Sequence, residues 1–95
     1  MIEVITFRLG GGTGEASFLA ADDAFRTEFL YAQRGLARAT TARGADGEWI
    51  VILIWATEAD ADAATVAAET DPAATRFFGL VEAASLGRRR YATLD

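Results

Sequence analysis

Trp55, at the end of a long apolar run, and the phenylalanines Phe7, Phe25, Phe29 and Phe77 are the side chains best suited to hold an apolar or aromatic molecule. Rings of this kind line ligand pockets, and they fill cores just as readily. Few polar groups can act beside them. Tyr31 and Gln33 would either hydrogen-bond a ligand or face water, and Arg8 and Tyr91 complete the polar candidates. The 95 residues include no cysteine and no histidine, which removes the disulfide framework, the thiol nucleophile, the imidazole base and the usual zinc site. Without these ligands no haem or transition metal is expected. Gly10-Gly11-Gly12-Thr13-Gly14 invites comparison with a phosphate loop, but it has neither the dinucleotide spacing nor the terminal Gly-Lys-Ser/Thr, and Glu15 follows directly. It reads as a strand-to-helix turn, and no flavin or nucleotide is expected either. Asp60, Asp62, Glu69 and Asp71 lie on or beside helices without a metal-ligand set and read as a solvated face. In Arg88-Arg89-Arg90, alternation separates Arg89 from the other two. The run reads as a guard on an edge strand or as a partner for nearby carboxylates.

These side chains need a scaffold, and its centre is Glu48 to Thr57. This stretch is apolar on both faces and too short for anything but a buried strand. Alternation puts Trp49, Val51, Leu53 and Trp55 on one side and Ile50, Ile52, Ile54 and Ala56 on the other. The chain's own helices can cover one side. A second copy of the chain is expected on the other, with Ile50, Ile52 and Ile54 as the dimer interface. Ile2 to Leu9 alternates as a first strand, with Ile5, Phe7 and Leu9 as its apolar set. From Glu15 to about Arg34, Phe18, Ala21, Phe25, Phe29 and Ala32 recur at helical spacing, and Gly35 suits a left-handed cap.

Leu36 to Arg43 reads as a second, less hydrophobic strand, and Asp46-Gly47 signals the hairpin into the central one. Thr57-Glu58-Ala59-Asp60 resembles a capping box opening an alanine-rich helix to Ala68. Asp71 and Pro72 then begin a second piece running to about Ala84, with Ala74, Phe77, Phe78 and Val81 on its buried face. Leu86 to Leu94 reads as the last strand. The order strand, helix, strand, strand, broken helix, strand is that of a ferredoxin-like βαββαβ domain, an α+β fold with a four-stranded antiparallel sheet, in one domain over residues 1–95.

The formal net charge of −5 argues against a general nucleic-acid partner. The N-terminus lacks a signal-peptide pattern and the longest apolar run falls short of a bilayer span, so the expected location is cytoplasmic, with no membrane association.

The whole pattern resembles the antibiotic-biosynthesis-monooxygenase-like group of the dimeric α+β barrel superfamily. The likeness rests on Phe7-Arg8-Leu9, Gln33-Arg34-Gly35-Leu36, Asp46-Gly47-Glu48-Trp49, Trp55-Ala56-Thr57-Glu58-Ala59, Asp71-Pro72 with Phe77-Phe78, and Tyr91-Ala92-Thr93-Leu94. It implies two four-stranded sheets facing each other across a homodimer, with helices outside and a site between sheet and helices. Members of the group include cofactor-free oxygenases of aromatic polyketides, quinol oxygenases and haem degraders. The resemblance carries over a tryptophan near the end of the third strand, matched by Trp55. It does not carry over the first-strand asparagine, where Phe7 stands, or the axial histidine of the haem degraders, since the chain has neither residue type.

Two functions follow as expectations. One is a homodimeric small-ligand-binding or accessory domain whose apolar pocket is lined by Phe7, Phe25, Phe29, Tyr31, Trp55 and Phe77. The other is a cofactor-independent monooxygenase acting on an aromatic, polyketide- or quinol-like substrate.

Overall fold

Four strands in the order β2-β3-β1-β4 make one antiparallel sheet, with β1 at Ile2–Phe7, β2 at Leu36–Arg43, β3 at Trp49–Trp55 and β4 at Gly87–Tyr91. The structure, a computed structural model, describes residues 1–95. Helices α1 (Glu15–Ala24), α2 (Glu58–Ala68) and α3 (Pro72–Gly79) cover one face of the sheet, so the fold is the ferredoxin-like α+β arrangement that the element order implies. No helix is long and apolar enough to cross a membrane.

Strand β3 alternates as its sequence requires. Trp49, Val51, Leu53 and Trp55 are buried under the helices, and Ile50, Ile52 and Ile54 are half-buried on the open face. The hairpin before it turns through Gly47 at φ 87°, a left-handed conformation that favours glycine. Within the turn, Asp46 accepts a hydrogen bond from the Glu48 backbone N–H, and this bond together with Arg8 holds the Asp46 carboxyl below its ordinary value.

Both predicted caps of the second helical region form. Thr57 Oγ1 accepts from the Asp60 backbone N–H at 3.1 Å, and Asp71 Oδ2 accepts from that of Ala74 at 2.9 Å ahead of Pro72. Gly35 has φ 82°, and a Cβ there would run into the Asp60 side chain, so both conformation and space reserve the position for glycine.

Strand β1 ends at Phe7 rather than Leu9, which makes only an isolated bridge, and three further boundaries differ from the sequence expectation, each for a tertiary reason. The first helix is regular only to Ala24. A wide π turn over Phe25–Phe29 and a tight turn over Leu30–Ala32 complete it, and Phe25, Phe29 and Leu30 are all buried. Helix α3 stops at Gly79 rather than near Ala84, because the chain beyond it is drawn against the end of the first strand. There Leu9 bridges Val81, Gly10 donates to the Leu80 carbonyl at 2.8 Å, and Glu82 donates to that of Arg8 at 2.9 Å. Strand β4 ends at Tyr91, which pairs with Ile2, because its partner strand starts there.

Candidate functional site

Two differently packed regions lie between the sheet and the helices. At one end, Phe7, Phe18 and Phe77 form a solid aromatic cluster with ring centroids 5.3–5.6 Å apart, extended by Trp49 at 4.8 Å from Phe18. At the other end packing is incomplete and leaves a cavity of about 30 Å³. The sheet contributes Glu3, Ile5, Leu53 and Trp55 to its wall, and the wide turn contributes Phe25, Phe29 and Leu30. Small residues of α2, among them Ala61, Ala64 and Ala68, together with Phe78 and Arg88, close it. The alanines that favour helix formation also leave this space, because nothing larger than a methyl group projects from them.

A surface groove of about 430 Å³ runs outside the cavity along α2, α3 and β4. Thr65, Ala68, Phe78 and Arg88 border both spaces, so the cavity and the groove adjoin at these four side chains.

The chief polar feature of the cavity wall is a carboxylate. Period two places Glu3 on the same face as Ile5 and Phe7, and only 3% of it is exposed. A charge so deeply buried is strongly destabilising unless paired. Trp55 donates its indole N–H to Glu3 Oε1 at 3.3 Å, and Arg90 donates Nε–H to Oε2 at 3.0 Å. Arg88 Nε lies 3.9 Å from Oε2. Arg90 also binds Asp62 and approaches Glu58 at 3.9 Å, and its hydrogen bonds to Asp62 and Glu3 hold the guanidinium more firmly protonated than an ordinary arginine. Arg89, by contrast, belongs to the opposite face. Two of the three arginines therefore act as carboxylate partners, as alternation along an edge strand allows.

Phe25, Phe29 and Trp55 of the predicted pocket meet at the cavity. Phe25 and Phe29 stack with centroids 5.6 Å apart and planes inclined by 6°. Phe7 and Phe77 sit in the solid aromatic cluster and do not border the cavity, and Tyr31 is 55% exposed outside it. The polar candidates are placed elsewhere as well. Arg8 reaches the Asp46 carbonyl at 2.8 Å, Gln33 donates to the Phe29 carbonyl at 3.0 Å, and Tyr91 is largely exposed. The polar residues at the cavity are instead Glu3, Thr65 and Arg88. Alternation carried two residues back along β1 from Ile5, and inward from Arg90, would have found the Glu3 pair.

A second buried carboxylate, Asp22, lies apart from this site. It is 2% exposed, accepts the Thr41 hydroxyl at 2.8 Å and faces Arg26 Nε at 3.3 Å. Burial pushes its carboxyl above the ordinary aspartate value despite both partners. Over the interval between the ordinary value, about 3.9, and the raised one, the folded chain binds more protons than the unfolded chain, so this group makes stability fall as pH rises. Asp22→Asn should remove that component. The urea midpoint of the wild type relative to the variant should then decline with rising pH across this interval. A difference that is flat or rises would show that Arg26 and Thr41 outweigh burial.

No protein-family model and no curated protein matches the chain. Solved structures do match its fold. It is similar to a variant of SnoaB, a cofactor-independent oxygenase from Streptomyces nogalater, with a TM-score of 0.79 and 20% identity over 99% of this chain and 92% of that one. It is similar also to Rv0793 from Mycobacterium tuberculosis, with a TM-score of 0.71 and 18% identity over 99% and 95% of the two chains. A Bordetella bronchiseptica protein named as an antibiotic biosynthesis monooxygenase aligns with a TM-score of 0.74 and 15% identity, over 97% of this chain and 96% of that one. At these identities the likeness establishes the shared fold.

Proposed function

We propose that the chain is a homodimeric domain that binds a small apolar or aromatic molecule between its sheet and its helices. The observation carrying this reading is the unfilled space beside Trp55, lined by the rings of Phe25, Phe29 and Phe78 and adjoining an open groove. About 30 Å³ accommodates roughly two water molecules and no aromatic ring. A ligand therefore has to displace Phe78, whose half-buried position between cavity and groove makes it the side chain with room to move. The dimer is supported by the uncovered face of the sheet, where Ile50, Ile52 and Ile54 stand in a row on a central strand.

The test uses Trp55 as its own reporter. In a Trp49→Phe variant Trp55 is the only indole, and titration with toluene should change its emission and saturate. No change up to the solubility limit would end the pocket reading.

A second reading, a cofactor-independent monooxygenase of an aromatic substrate, is favoured by Glu3. The oxygenase needs a group to accept the substrate proton, and this carboxylate borders the cavity beside Trp55. The fold shared with SnoaB supports the same reading.

A further inference from the structure

Glu3 is more than a compensated charge. An ionised carboxylate offers about four acceptor positions. The Trp55 indole and Arg90 occupy two of them, the former through a long bond of 3.3 Å, and Arg88 at 3.9 Å is outside hydrogen-bonding range. The carboxylate thus keeps unused acceptor capacity, and it borders a cavity whose other walls are mostly apolar.

Charge decides what kind of group this capacity suits. Arg88 and Arg90 carry two positive charges, and the three carboxylates of Glu3, Asp62 and Glu58 stand against them. No positive charge is left unmatched for an anion, and an anion entering the cavity would meet Glu3 in surroundings of low dielectric. A neutral donor meets the opposite situation, because a hydrogen bond to a buried charged acceptor is stronger than one between neutral groups.

We propose that Glu3 is the specificity-determining residue of the cavity and selects a neutral apolar ligand bearing a hydroxyl or N–H at one end. The donor end enters past Phe78 to reach Glu3, and the apolar body remains against Ala68, Phe78 and the groove. This inference rests on the ligand-binding reading above and adds the chemical class of the ligand to it.

Three probes of one shape test it: para-chlorophenol, para-chloroanisole with the donor methylated, and para-chlorobenzoate with an anion in its place. Their binding is followed at neutral pH through the Trp55 indole N–H resonance, assigned with the Trp49→Phe variant. The phenol should bind about ten-fold more tightly than the ether, equivalent to about 1.4 kcal/mol, and the benzoate should bind more weakly than the phenol. Glu3→Gln should reduce the preference for phenol over ether to about two-fold. Equal affinities of phenol and ether in the wild type would overturn the role of Glu3 while leaving the pocket intact, and this comparison stands even if Glu3→Gln does not fold. Tightest binding by the benzoate would overturn it in favour of anion recognition at Arg88. Binding of none of the three would overturn both this inference and the ligand-binding reading.

Discussion

Phe77→Ala is expected to lower the free energy of unfolding by about 3–5 kcal/mol, the range for removing a fully buried aromatic ring. Phe77 has no exposed surface, and its ring lies 4.6 Å from Phe25, 5.0 Å from Phe78, 5.3 Å from Phe18 and 5.6 Å from Phe7. Four rings lose a neighbour at once, and the sheet behind them cannot relax to fill the space. A domain of this size is stable by only about 5–15 kcal/mol, so the variant would retain little margin. The measurement is the urea midpoint at unchanged slope. A loss below about 1 kcal/mol would mean that this end of the core is as loosely filled as the cavity end.

The second large effect concerns the open face of the sheet. Cross-strand pairing places Thr40, Ile52, Val4 and Arg89 in one row, between a row of Arg38, Ile54, Ile2 and Tyr91 and a row of Ala42, Ile50, Thr6 and Gly87. Ile52 is therefore at the centre of the proposed dimer interface. Full burial of an isoleucine is worth about 1.5–3 kcal/mol, and three of them stand on this one strand. An aspartate at position 52 would bring an unpaired carboxylate into that interface, at a cost of several kcal/mol. Light scattering after size exclusion should give twice the 10.1 kDa chain mass for the wild type at micromolar concentration. Ile52→Asp should give a monomer or an unfolded chain, and Ile52→Val should remain dimeric. A wild type that is monomeric and fully folded would remove the basis for the dimer.

The sequence by itself determined the element order, the two faces of β3, both caps of the second helical region and the left-handed conformation at Gly35. Each of these depends on neighbours within a few residues: alternation along a strand, a side chain reaching the backbone three positions on, a single left-handed dihedral. Three local rings of the predicted pocket, Phe25, Phe29 and Trp55, were legible for the same reason, since helical and strand periodicity turn them inward. Periodicity also turns Phe7 and Phe77 inward. It does not say whether the space they enter is full, and tertiary packing filled it with Phe18.

Tertiary structure alone decided the polar half of the site. Glu3 and Arg90 are 87 positions apart and meet because β4 pairs with β1, while Trp55 reaches the same carboxylate across 52 positions because β3 pairs with β1 on its other side. The cavity has the same origin. It exists where the short side chains of α2 face the wide turn that ends the first helix, and its volume is the remainder left when separately determined elements pack together.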